Sequence, residues 1–370
     1  MFSNRARWDT PLNQLTLARQ AHRGPLFDLT ETNPTRAGIP YPLDELQEAL
    51  ARGARASYDP DPRGLLSARE ALAEQLGCGA DELLLTASTS EAYSFLFKLL
   101  TDPGDAVLTA TPSYPLLEQL ASMELVELRP FPLEFHRRWE IREVPADPTA
   151  DSRTRAIVVV NPNNPTGSYV TAAEQDALAA HGIPIISDEV FLDYALEGSG
   201  LTFVREDVLT FTLGGLSKSA GLPHFKLGWI RVSGRGRQEA LGALELIADN
   251  FLSVATPVQV ALPELLRLAP SIRGAISQRT RTNLRHLRDA LREVPSARVL
   301  PVEGGWSAVI RVPRVMTDDE LALALLEQGV VVQPGYFFDF ESEGYVVVSL
   351  LTDEATFAEG VRRLADIIPA

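Results

Sequence analysis

The sequence predicts an α/β protein with a large, mostly parallel sheet and a smaller α+β unit. Three observations carry this. From about residue 83, short apolar runs alternate with helical patterns. Several runs are unbroken stretches of Val, Ile and Leu, which suit strands buried on both faces of a parallel sheet. After about residue 255 the alternation gives way to strands gathered with helices on one side.

Taken in order, "LLLT" (83–86) precedes the helical "SEAYSFLFKLL", and "AVLTA" (106–110) precedes "SYPLLEQLAS". "AIVVV" (156–160) precedes "TAAEQDALAAH", whose helix opens on a capping box of Thr171 and Glu174. "IPIIS" (183–187), "VLTFTL" (208–213) and "GWIRVS" (228–233) complete the first set. Beyond them Pro257 is expected to interrupt a long helical stretch, with a second helix over roughly 272–293. Strand-like "ARVLPV" and "WSAVIRV" follow, then a helix capped by Thr317 and Glu320. "VVVQPG", "YVVVSLL" and an amphipathic helix end the chain. The first forty residues have no βα pattern of their own and are expected to pack along the second unit. At 370 residues two domains are the default. Their expected bounds are 41–255 for the large one, and 1–40 with 256–370 for the small one.

Composition narrows the function. A net charge of -15 argues against nucleic acid and against anionic membrane surfaces. One cysteine, Cys78, leaves no disulfide framework and no thiol-rich metal site. No metal-ligand spacing is present. "MFSNRARWDTPLNQL" lacks the apolar run of a signal peptide, and no stretch is long enough for a membrane span. A soluble, cytoplasmic protein is the expectation.

Lysine is the informative residue. Of 34 basic residues only Lys98, Lys218 and Lys226 are lysine, and two of them fall in "GGLSKSAGLPHFKLGW" (214–229). Arginine stays charged, whereas a desolvated lysine can lose its proton and become a nucleophile that forms a Schiff base with an aldehyde. Lys218 follows a predicted strand and a Gly-Gly pair, at the strand end where open α/β sheets bind ligands. Ser217 and Ser219 flank it as short hydroxyl donors. Lys226 offers a fixed charge suited to a phosphate.

"LSKSAGLPHFKLGW" resembles the cofactor-lysine segment of the class I/II aminotransferases, with the aspartate-aminotransferase-like fold. The resemblance implies pyridoxal 5′-phosphate (PLP) on Lys218, with its phosphate near Lys226, where the family usually has arginine. A family serine three residues before the lysine is Gly215 here, so that hydroxyl is either missing or supplied by Ser217. "NPNNPTG" (161–167) is similar to the family's asparagine-proline loop, in which Asn164 would donate to the phenolate oxygen of PLP. "ISDEVFLDY" (186–194) implies that Asp188 pairs with the pyridinium nitrogen and keeps it protonated. "TASTSEAY" (86–93) opens a helix, where Ser88 and Thr89 would hold the phosphate and Ser90 is expected to cap the helix. Tyr114 in "TPSYPLL" matches the ring that stacks on the pyridine. Tyr58 in "YDPDPRGLLSAREAL" matches a tyrosine that reaches the phosphate in a neighbouring subunit, which implies a homodimer. "DLTETNPT" (28–35), "EGGWSAVIRVP" and "VVVQPGYFFDF" extend the resemblance over nearly the whole chain.

Two positions depart from the family. Phe191 stands where a tyrosine usually donates to the phenolate, and its loss would raise the pKa of the lysine–cofactor imine; Tyr194 is a candidate substitute. Val347 stands where an arginine usually holds the substrate carboxylate, which valine cannot do. Either another arginine serves, with Arg36 in "NPTRAG" as candidate, or the substrate is unusual.

The implied function is amino transfer between an amino acid and a 2-oxo acid. Its runner-up is PLP-dependent β-elimination on sulfur amino acids, which shares the first steps with Lys218 as base. A PLP-fold protein that binds ligand without turnover is the alternative of a different class. A hydrolase is disfavoured because "GLSKS" lacks the last glycine of G-x-S-x-G. A dinucleotide site at "SGRGRQEA" is disfavoured because Glu239 replaces the third glycine.

Overall fold

A computed structural model of the chain describes residues 11–143 and 153–369, together with Ser3 and Arg5. Its centre is an eight-stranded sheet. Across the sheet the strands run Leu83–Thr86, Gly228–Ser233, Thr210–Gly215, Ile185–Asp188, Thr154–Val160, Ala106–Thr111, Glu127–Phe135 and Trp139–Ile141. The five strands from Thr210–Gly215 to Glu127–Phe135 are parallel. Antiparallel pairs flank them on both sides.

The unbroken apolar runs have a direct physical cause. In Thr154–Val160, Ala156 and Val158 enter the core cluster on one face, and Ile157 and Val159 the cluster on the other. Val107 and Leu108, or Ile186 and Ile185, divide the same way. Side chains alternate along a strand, so a sheet covered on both faces needs apolar residues at every position.

The chain order reverses between Ala106–Thr111 and Thr154–Val160, which are neighbours in the sheet although Glu127–Phe135 lies between them in sequence. Such a switch point opens a crevice at the carboxyl ends of the strands. Residues 111–114, 160–164, 188–191 and 215–218 all leave the sheet at that edge.

The smaller sheet is antiparallel, in the order Arg298–Val299, Ser307–Arg311, Tyr345–Ser349 and Gln333–Pro334. Near the N-terminus, Phe27–Asp28 pairs in parallel with Val330–Val331. Leu15 and Leu29 sit in the same apolar cluster as Val346, Val348 and Phe357. Leu15 and Leu29 thus pack beside the smaller sheet, whereas Ala37 and Ile39 join the cluster of Leu72, Leu85 and Leu262. Both expected capping boxes form, Thr171 with Glu174 and Thr317 with Glu320.

The helix after residue 255 corrects the sequence reading. Pro257 does not interrupt it; one helix of 35 residues runs from Thr256 to Ala290, with Pro257 in its first turn. A first-turn residue has no intrahelical acceptor for its N–H, so proline costs nothing there. Pro263 and Pro270 lie inside the helix but face solvent, while Leu262, Leu265, Leu266, Ala269, Ile272 and Ile276 are buried. Burial of that face outweighs the lost hydrogen bonds. The helix also packs tightly on Leu43–Gly53, because a Cβ at Gly53 would fall 2.3 Å from the Pro257 carbonyl oxygen.

Candidate active site

The crevice holds a cavity lined by Thr89, Ser90, Tyr114, Asn164, Asp188, Ser217 and Lys218, among others. Lys218 sits in the short helix Leu216–Ser219, directly after the strand Thr210–Gly215. Burial pushes its ammonium below the ordinary lysine value, and the charge of Asp188 opposes that shift. Its Nζ lies 5.2 Å from the ring centre of Trp306 and 5.8 Å from that of Phe191. These two rings meet edge to face. The amine therefore stands in an apolar frame, as a lysine that must become neutral requires.

Asp188 ends the strand Ile185–Asp188. Burial lifts its carboxyl from 3.8 to about 6, against the opposing pull of the Val190 N–H, the Tyr93 hydroxyl and Lys218. Tyr93 donates to Oδ2 at 3.1 Å and the Val190 N–H to Oδ1 at 3.2 Å. No helix follows, so Asp188 is not a helix cap. Glu189 turns away from the cavity to accept from Ser187, Thr202 and the Phe203 N–H, and burial lifts it to about 7.

Asn164 reaches the cavity from the loop after Thr154–Val160, with its Oδ1 accepting from Ser307 at 3.1 Å. That loop closes at Gly167, where φ is +72° and a Cβ would fall 2.7 Å from the Gly304 carbonyl oxygen. Only glycine meets both demands.

The helix Thr89–Leu100 opens at the same edge. Its cap is Ser88, which accepts from the Glu91 N–H at 3.2 Å, and not Ser90. Ser90 is already inside the first turn and lines the cavity with Thr89. Glu91 folds back to accept from the Ala87 N–H and the Ser253 hydroxyl, each at 2.6 Å.

The remaining residues named from sequence fall in different places. Tyr114 lines the cavity and is 49% exposed. Lys226 is exposed at a positive φ of 51°, at the turn into the strand Gly228–Ser233, and does not line the cavity. Tyr58 is 70% exposed and borders a separate depression beside Phe95 and Leu252. Arg36 is exposed and pairs with Glu31 at 3.3 Å, away from the cavity lining. Val347 is buried between Val309 and Gln333 in the small sheet, within the cluster that includes Trp139 and Phe338. Tyr194 is buried too, and donates to the Lys218 carbonyl at 2.5 Å. Its hydroxyl thus braces the lysine backbone and does not line the cavity.

Tyr93, Trp306 and Ser307 were not singled out from sequence. Tyr93 was within reach, since it lies four residues after Thr89 and so shares its helix face. Trp306 and Ser307 come from the second unit, and local sequence carries no signal that they meet Lys218 and Asn164.

The donor set fits PLP. A desolvated amine, a buried carboxylate, an amide and a hydroxyl-lined helix N-terminus suit an aldehyde, a pyridine nitrogen, a phenolic oxygen and a phosphate in that order. Among the described residues no cluster of His, Cys, Asp and Glu could hold a metal, and no helix is long and apolar enough to cross a membrane.

Comparison with known proteins agrees. The family profile "Aminotransferase class I and II" matches residues 26–364. The aspartate/prephenate aminotransferase of Thermus thermophilus is 30% identical over 93% of this chain and 91% of its own length. Nicotianamine aminotransferase 1 of Oryza sativa is 31% identical over 60% of this chain, a match spanning 49% of that protein. The solved alanine aminotransferase of Pyrococcus furiosus superposes with a TM-score of 0.86 over 95% of both chains at 23% identity, which bears on the fold. With a parallel-sheet crevice, a buried lysine at its strand ends and a match over nearly its full length, the chain belongs to the class I and II aminotransferases and is a PLP-dependent enzyme of that type.

Proposed function

We propose that this cavity carries out amino transfer between an amino acid and a 2-oxo acid, with Lys218 as both the cofactor's anchor and the proton carrier. The observation that supports it most is the convergence of Lys218, Asp188 and Asn164 from three parallel strand ends on one cavity. When bound, PLP supplies an aldehyde carbon and a ring that accepts the electron pair left at the substrate α-carbon. Asp188 would hold the ring nitrogen in its protonated form, and Asn164 the phenolic oxygen. Thr89 and Ser217 would hold the phosphate from within the lining, Ser88 and Lys226 would approach it from outside the lining, and Tyr114 would cover the ring. Lys218, whose amine burial keeps below its ordinary pKa, would take the α-proton and return it. Phe191 and Trp306, with ring centres 5.8 and 5.2 Å from the amine, would limit the access of water to it.

The same reading makes the protein a homodimer in which Tyr58 reaches the site of a second copy; its 70% exposure outside the cavity supports this. It also assigns 41–255 to cofactor binding and 1–40 with 256–370 to the small domain. In support, the large sheet lies within 83–233 and the four-stranded sheet within 298–349. The test is to incubate the holoenzyme with a panel of amino acids and follow the cofactor's absorbance. Conversion to the aminated cofactor supports transfer. Release of ammonia and pyruvate instead would assign β-elimination, and Lys218→Ala should abolish either.

A further inference from the structure

The cavity is lined by both polar and apolar groups. The polar ones include Lys218 and Asp188, at the carboxyl ends of sheet strands. These are the only charged residues in its described lining, and both have roles in the proposed reaction. The apolar lining comprises Val160, Val190, Phe191 and Trp306 and, from one helix, Leu116, Leu117 and Leu120. At 100° per residue these three lie within a 100° arc, so they present one face. Leu117 is buried in the core beneath, whereas Leu116 and Leu120 are half-buried. Tyr114, just ahead of the same helix, also borders the cavity.

We propose that this leucine face is the substrate side-chain pocket, and that it selects amino acids with uncharged, apolar side chains of leucine, methionine or phenylalanine size. The inference rests on the amino-transfer reading and names the substrate class for that same site. Its physical basis is the apolar surface that these leucines present to the cavity. A second carboxylate, as on aspartate or glutamate, would lose its water against these leucines. An apolar side chain loses nothing polar there and removes the leucines from water. Pockets of this kind discriminate by roughly 10- to 200-fold per methylene, so Leu116 and Leu120 are specificity-determining positions.

Two measurements on the holoenzyme test this. In the first, cofactor conversion is followed at a series of concentrations of each amino acid. Leucine, methionine and phenylalanine should exceed aspartate and glutamate in kcat/KM by about 100-fold or more. The second is calorimetric binding of α-methylleucine and α-methylaspartate, which lack the α-proton and so bind without turnover. The first should bind and the second should not. Leu116→Ala should lower the preference for leucine over alanine roughly tenfold, chiefly through KM. Leu120→Arg should shift preference toward aspartate; if that variant does not fold, the wild-type ratios and Leu116→Ala decide. Equal turnover across the panel, or a preference for aspartate or glutamate, would overturn the proposal and leave amino transfer standing. Neither conversion nor binding with any amino acid would overturn both.

Discussion

Lys218 and Asp188 are set by opposite effects of one environment. Burial disfavours charge on each, lowering the lysine and raising the aspartate. For Asp188 this has a consequence for stability. A carboxyl whose folded pKa is raised from 3.8 to about 6 favours folding below about pH 4, and that contribution is lost as pH climbs through 6. One pKa unit is worth about 1.4 kcal/mol, so the loss is about 3 kcal/mol. In the cofactor-free protein, Asp188→Asn should therefore raise the unfolding free energy by up to about 3 kcal/mol at pH 8 and by little at pH 4. Urea unfolding at the two pH values measures this; equal effects at both would contradict it. Lys218, Asp188 and Asn164 were legible in sequence because each follows an apolar strand in a recognisable motif. Trp306, Ser307 and the leucine face were not, because their roles arise only when distant segments meet. Phe191 and Val347 stood out as departures, and the structure gives each a packing role, Phe191 against Trp306 and Val347 in the small sheet.

Among the elements, the strands were the most legible, since burial on both faces writes an unbroken apolar run. Strand ends shifted by a few residues, and "ARVLPV" contributes only Arg298–Val299 to a ladder. The helix Thr256–Ala290 was misread because proline was weighed by type and not by position. Pro270 lies seven residues after Pro263 on the exposed side, where the ring meets solvent and the core face stays continuous. An interior proline costs about 3 kcal/mol relative to alanine. Pro270→Ala should thus stabilise the protein by about 1–3 kcal/mol, read as a higher urea midpoint. A lower midpoint would show that the proline bends the helix as its packing requires.

At the scale of the whole molecule, the lack of a βα pattern near the N-terminus matches the packing of Leu15 and Leu29 beside Val346, Val348 and Phe357. What lay beyond sequence is how the second unit closes over the crevice, through Ser307 on Asn164 and Trp306 beside Lys218. The proposed homodimer makes a distinct prediction. If Tyr58 serves the neighbouring copy, Lys218→Ala and Tyr58→Ala proteins should each be impaired alone. Mixed and refolded together they should regain activity, since a hybrid pair contains one site with both residues intact. Absence of recovery in mixed dimers would place Tyr58 outside the reaction. The central claim is that Lys218, of the three lysines, bears the cofactor. Borohydride reduction of the holoenzyme, followed by peptide mass spectrometry, tests it most directly. The account predicts a cofactor mass on the peptide that contains Lys218 and its absence after prior conversion by a substrate amino acid. Label on Lys98 or Lys226, or on no lysine, would contradict it.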